Sequence, residues 1–308
     1  MQGRGNDTAV RPDRLITLSL VQPLRHAISS QPEWKLPILM YHSISVDPEP
    51  GVPSYSRINT SPAVFRQQIK HLVQQGYCPI DLSRRVEILH EGESRVRKYV
   101  IITFDDGFMD FQTEAFPILQ EYGVTATVFL PTAYIQNTRA SFKGKECLTW
   151  TEVHELRRTG ICFGSHTVNH PRLAELSWGE VEREIRDSKT KLEQQLGEPV
   201  SAFAHPFAFP QADRQYFQKL RTLLIEAGYS CCVTTEIGRV KPGGDPLRCR
   251  RLPINSLDDP ELFQGKLEGS YDWMAMPQAT SKRVKALFSG ARNTAPINGC
   301  PPQTSRLL

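Results

Sequence analysis

The sequence predicts an α/β fold, a distorted (β/α) barrel of about seven strands, and three observations carry that expectation. From Leu36 onward one unit recurs: an amphipathic helix, a glycine that stops it, then a short apolar strand. Seven or eight such strands fit into some 230 residues, and strands separated by helices pair in parallel through right-handed crossovers. No glycine-rich nucleotide loop follows any of them, which removes the main reason to prefer an open doubly wound sheet.

The elements follow in order. Leu36 to Ser43 reads as the first strand. Ser61-Pro62 caps a helix with Phe65, Ile69, Leu72 and Val73 on one face and a stop at Gly76. Tyr99 to Thr103 is an uninterrupted apolar strand. A helix from about Thr113 to Tyr122 ends at Gly123 and leads into the strand Val124 to Leu130. Another starts near Thr151, ends at Gly160 and precedes the strand Ile161 to Gly164. Ser177-Trp178-Gly179-Glu180 is a capping box for a helix with Val181, Ile185, Leu192 and Leu196 on one stripe, and Val200 to Ala204 is its strand. Asp213 caps the next helix, before Tyr229 to Thr234, and Cys249 to Ile254 closes the series.

Residues 1–35 lack periodicity and are expected to form a disordered leader, 36–265 the catalytic domain and 266–308 a flexible basic tail. The net charge of +4 is uneven: residues 1–30 carry +2 and residues 279–308 carry +5, which leaves −3 for residues 31–278. A mildly acidic body argues against nucleic acid as a partner. The seven cysteines include no C-x-x-C pair, which fits neither a disulfide framework nor a structural zinc site. No apolar run is long enough to span a bilayer. Without a clear signal peptide the expectation leans cytoplasmic, with a periplasmic or extracellular location left open. The oligomeric state is not legible.

Three strands deliver polar clusters to one rim. Asp105-Asp106-Gly107 follows the strand at Tyr99, Ser165 to His170 follows Gly164, and His205-Pro206-Phe207 follows Ala204. In a parallel barrel these lie at the C-terminal face, where active sites sit. One carboxylate with two imidazoles forms a nitrogen and oxygen donor set suited to a divalent metal, Zn²⁺ first, with a position open for water.

Thr103-Phe104-Asp105-Asp106-Gly107 and Ser165-His166-Thr167-Val168-Asn169-His170-Pro171 resemble the first two motifs of the polysaccharide deacetylase family, the NodB-homology domain of carbohydrate esterases. Leu36 to Ser43 resembles its exopolysaccharide-associated branch, and Phe203 to Phe207 is similar to its third motif. The resemblance implies a distorted barrel and a metal-dependent removal of acetyl groups from N-acetylhexosamine units of an oligo- or polysaccharide. It implies Asp106, His166 and His170 as metal ligands, Asp105 as general base, and a backbone N–H near Phe207 for the oxyanion. Two departures stand out. The arginine that many members carry in the third motif is missing, with Arg250 and Arg251 available as replacements, and no histidine occurs after His205 to protonate the leaving amine. His42 is then the first candidate acid and His205 the second. A metal amidohydrolase of small non-sugar amides and a non-catalytic carbohydrate-binding member are the alternatives.

Overall fold

Seven short segments, most of them largely apolar, form parallel strands that close on themselves. In the computed structural model, which describes residues 11–28, 34–84, 97–278 and 280, these are β1 (Ile38–Tyr41), β2 (Lys98–Phe104), β3 (Thr127–Leu130), β4 (Cys162–Ser165), β5 (Ala202–Ala204), β6 (Cys231–Ile237) and β7 (Cys249–Pro253). Each pairs with the next in chain order, and β7 returns to β1 through Leu39 opposite Leu252. The predicted barrel is borne out. It is distorted in two places: β4 and β5 share a single register pair, Ser165 with Phe203, and the β6–β7 register shifts between Val233 and Ile237. A further strand, Tyr77–Ile80, pairs with the first half of β2.

Eight helices are described: α1 (Pro12–Ile16), α2 (Gln22–Ile28), α3 (Pro62–Gln74), α4 (Phe116–Glu121), α5 (Trp150–Arg158), α6 (Trp178–Leu196), α7 (Arg214–Glu226) and α8 (Pro260–Glu268). The caps form as the sequence expects. Ser61 accepts from the Val64 N–H, Asp213 from the Tyr216 N–H, and Glu180 from the Ser177 N–H. The expected start near Thr113 differs, because Phe111–Ala115 is a π-helical turn. Pro117 has no N–H to give the Thr113 carbonyl, so an α-helical bond is missing there and the turn widens.

Alternate strand residues divide the core. Leu39, Tyr41, Val100, Ile102 and Phe104 pack outward against the helices, while Ile38, Ile101, Phe129, Ala204 and Val233 belong to a second cluster on the opposite strand face, filling the barrel. Each fully buried side chain of this size contributes about 1.5–3 kcal/mol. At Gly164 a Cβ would fall 2.6 Å from the Phe129 ring and 2.9 Å from the Ala202 carbonyl oxygen, so only glycine lets β4 approach its neighbours.

Both expected boundaries need correction. Of the expected leader, residues 12–28 are helical and dock through polar contacts the apolar periodicity did not register: Arg11 reaches Asp258 at 3.0 Å and Asp13 accepts from the Tyr271 hydroxyl at 2.7 Å. At the other end α8 continues to Glu268 and Tyr271 is fully buried, so the folded unit passes residue 265. Residues 1–10 and the basic stretch 281–308 lie outside the described residues.

Candidate active site

The C-terminal ends of the strands converge as the sequence implies. Asp105 and Asp106 leave β2, His166 leaves β4 with His170 on the loop beyond, and His42 follows β1. Five non-glycine residues among those described have positive φ: Asp106 (73°), Lys143 (52°), Thr167 (70°), His170 (54°) and Phe207 (55°). All five belong to this rim. Left-handed backbone is costly for β-branched and aromatic residues, and it persists where a site demands it. Gly107, at φ 62°, completes the first turn, because a Cβ there would sit 2.7 Å from Leu130.

The ligand-type atoms of Asp106, His166 and His170 all lie within 4.8 Å of one another, and all three residues are buried. His170 Nε2 is 3.1 Å and His166 Nε2 3.7 Å from Asp106 Oδ1. His166 Nδ1 must donate to the Ala204 carbonyl, 2.8 Å away, since a carbonyl only accepts. That fixes the tautomer and turns the Nε2 lone pair toward Asp106. Asp106 Oδ1 is buried without a well-formed hydrogen bond. A buried carboxylate oxygen short of donors, facing two imidazole nitrogens, is a donor set that a divalent metal fits. Burial opposes charge on both groups. It pushes His166 down to about 3, whereas His170, 3.1 Å from Oδ1, with His42 and Lys143 nearby, holds Asp106 well below the usual carboxylate range.

Asp105 is oriented by the last strand. Arg251, on β7, donates from its two terminal nitrogens to Oδ1 and Oδ2, each at 2.7 Å. The guanidinium is itself fixed by the Thr234 carbonyl at 3.0 Å and the Thr103 hydroxyl at 3.2 Å. Burial would raise the Asp105 pKa, but Arg251, helped by His166, outweighs it and holds the carboxyl at about 2. Of the two arginines proposed as replacements, the structure selects Arg251; Arg250 points out, 3.7 Å from Glu236. The Arg251 guanidinium therefore reaches Asp105 from the far end of the chain rather than from the third motif.

The candidate acids separate. His42 Nε2 is 3.9 Å from Asp105 Oδ2, with one-fifth of its side chain exposed, and burial pushes its pKa down against the pull of Asp105 and Asp106. His205 sits behind the rim, its Nε2 3.0 Å from the Tyr216 hydroxyl and its ring edge-on to Phe209. It stands outside the Asp106–His166–His170 group. Phe207 lies against His170, ring centres 4.6 Å apart, and its N–H makes no hydrogen bond among the described residues. Its loop is pinned by Thr235, whose hydroxyl donates to the Phe207 carbonyl at 2.9 Å and accepts from the Phe209 N–H at 3.0 Å.

Sequence reasoning missed two residues. Glu184 on α6 accepts from the N–H groups of Val168 and Asn169 at 2.8 and 2.9 Å and from the Asn169 side chain at 2.7 Å, holding the second-motif loop. Its signal was an acid beside Ile185 on the buried stripe. Lys143, at the tip of the hairpin Ser141–Phe142 and Lys145–Glu146, brings Nζ 3.0 Å from Asp106 Oδ2 and over the Phe142 and Phe207 rings. Nothing in the pattern around it marked it. Beside that hairpin a cavity of about 430 Å³ opens, bordered by Asp47, Asp110, Glu114 and Lys145.

A family profile described as polysaccharide deacetylase matches residues 92–230. YxkH of Bacillus subtilis (strain 168), which carries a polysaccharide deacetylase assignment, is 30% identical over 211 residues, 68% of this chain and 68% of that protein. The chain belongs to the polysaccharide deacetylase family. Poly-beta-1,6-N-acetyl-D-glucosamine N-deacetylase of Escherichia coli (strain K12) is 31% identical over 135 residues, 41% of this deacetylase but 20% of that longer protein. Among solved structures, the Streptococcus pyogenes deacetylase PplD, in complex with acetate, aligns with a TM-score of 0.66 and 29% identity over 76% of this chain and 98% of its own. This protein is therefore a deacetylase with a NodB-type barrel, and its rim carries an Asp/His/His group able to hold a metal.

Proposed function

We propose that this enzyme is a metal-dependent de-N-acetylase of N-acetylhexosamine units in a polysaccharide or glycan precursor, with Zn²⁺ held by Asp106, His166 and His170. The observation that carries the reading is the pairing of that ligand group with an ionised Asp105 locked by Arg251. When bound, the ion would lower the pKa of water and polarise the acetamide carbonyl. Asp105 Oδ2 faces the ligand side, 3.9 Å from His166 Nε2, and takes the proton from the attacking water. The Phe207 N–H donates to the developing oxyanion. His42 Nε2, at 3.9 Å, receives the proton from Asp105 and passes it to the leaving amine. The low pKa of its imidazole keeps it neutral and ready to accept. The polar cavity beside the hairpin suits a neighbouring sugar, and the N-acetylglucosamine polymer named for the E. coli relative supports the substrate class.

Acetate release from N-acetylglucosamine oligomers, followed with and without chelator and alongside bound-metal analysis, tests the proposal. Release should require the metal, with zinc as the activating ion, and Asp105→Asn should lower it by about 10²–10⁴-fold while metal stays bound. Undiminished activity in that variant would remove Asp105 as the base. Release of acetate from small non-sugar amides but not from the oligomers would instead favour an amidohydrolase. A cytoplasmic location belongs to the same proposal, and fractionation of the native protein tests it.

A further inference from the structure

We propose that the outward face of residues 12–28 is a docking surface for an anionic membrane. A helix packed on a protein in water ordinarily turns its apolar side inward. This segment does so only in part: Leu18 lies against Gly265 of α8, and most of its other apolar residues turn outward. Asp13 and Thr17 face the body, where they accept from the Tyr271 hydroxyl and the Trp273 indole at 2.7 and 2.9 Å, and Arg11 reaches Asp258. Leu15, Ile16, Leu20, Leu24 and Ile28 face out, 36% to 79% exposed, and the residues between them on that face are proline, serine and alanine. Among the described residues nine large hydrophobic side chains are exposed; five are these, and a sixth, Met276, follows Trp273 beside them.

Local geometry keeps the stripe straight. Its apolar positions recur every four residues, which would drift around an α-helix of 3.6 residues per turn. The π-helical turn Thr17–Val21 takes more residues per turn and absorbs the drift. A continuous uncharged face of this size marks an interaction surface.

The charge distribution selects the occupant. The segment meets the C-terminal end of the fold at Trp273, and the chain goes on from Thr280 into residues 281–308, which carry Lys282, Arg283, Lys285, Arg292 and Arg306 with no acid. Two copies meeting through this face would bring like charges together, whereas an anionic lipid surface attracts them while taking up the leucines. No helix among the described residues is long and apolar enough to cross a membrane, so the segment lies on the surface.

The surface is independent of the metal site, and its test needs no catalysis. The full-length chain is sedimented with vesicles of phosphatidylcholine alone or mixed with phosphatidylglycerol. It should bind the anionic vesicles far better than the neutral ones, and raised salt should weaken that binding. Leu20→Asp with Leu24→Asp should lower binding by about tenfold or more without changing the melting temperature, and Lys282→Glu with Arg283→Glu and Lys285→Glu should lower it too. No sedimentation with either vesicle, or equal binding by the leucine variant, overturns the proposal. So does a lipid-free dimer that the leucine variant dissolves, which would give the face to a second copy.

Discussion

Below α8, Asp258 is saturated: Oδ1 accepts from Arg11 at 3.0 Å and Lys266 at 2.8 Å, and Oδ2 from Lys266 at 2.8 Å and the Asn255 N–H at 3.1 Å. Lys266 also donates a hydrogen bond to the Pro253 carbonyl at 2.6 Å. At the end of β2, Asp106 is equally buried, yet its Oδ1 has no well-formed hydrogen bond and its backbone stands at φ 73°. The first cluster ties the N-terminal segment to the barrel and has no valence left for a ligand. The second keeps donor atoms short of partners on a strained backbone. Buried charge that serves stability is satisfied by its neighbours, and buried charge that serves chemistry is left for something else to complete.

Exchanging the roles of the two clusters breaks this comparison most directly. On the proposed function, Asp106→Asn removes a ligand to a metal that would be worth several kcal/mol to the transition state, so acetate release should fall by about 10³-fold. Measured in chelator, its unfolding free energy should fall only modestly, since Oδ1 has no well-formed hydrogen bond to lose although His170, His42 and Lys143 hold the carboxylate ionised. A marked loss of stability there would place Asp106 with the structural cluster. Lys266→Met should do the opposite. It leaves Asp258 buried with one cation fewer and should cost about 3–5 kcal/mol in urea unfolding, while activity per folded molecule is retained.

Acid titrates the same difference. His166 is held down to about 3 from 6.5, and Asp105 down to about 2 from 3.8. Both bind protons less readily folded than unfolded, so stability falls as pH falls, first below 6.5 through His166 and then below about 4 through Asp105. The slope through the His166 range is about 1.4 kcal/mol per pH unit. Urea unfolding of metal-free protein across that range checks it, and His166→Ala should flatten the upper part. A stability that rises toward acid in the parent protein would contradict the buried neutral imidazole.

How legible these regions were depends on whether their residues follow the period of the element carrying them. Asp105, Asp106, His166 and His170 could be placed because each follows a short, mainly apolar strand, so strand direction alone puts them on one rim. Arg251 could be narrowed only to a pair: β7 reads Cys-Arg-Arg-Leu-Pro, and with arginine at both positions the alternation has no parity to display until burial shows 250 exposed and 251 inside. The N-terminal segment was misread for a related reason. Most of its apolar residues face away from the core, and its polar contacts lie some 240–260 residues away in sequence. His42 could be proposed from its place after β1, but its 3.9 Å approach to Asp105 depends on β1 pairing with β2, which no local pattern encodes.

Lys143 gives the smallest and most discriminating effect. Its hairpin has two residues on each side, too short for any periodicity, and its ammonium sits 3.0 Å from the one oxygen of Asp106 that does have a partner. The Lys143 side chain is 35% exposed, so the pair is partly screened and its worth is modest. A cation arriving at Asp106 meets that ammonium as a like charge and must push it aside. Lys143→Met keeps the length and the contact with the Phe142 and Phe207 rings while removing the charge. Zinc affinity of the apoprotein, followed by calorimetry, should then rise by up to about tenfold, or ~1.4 kcal/mol, and salt should matter less to it than in the parent. Unchanged affinity and salt dependence would mean that Lys143 belongs to the hairpin's packing alone, leaving Asp106 Oδ1 as the whole of the difference between the two clusters.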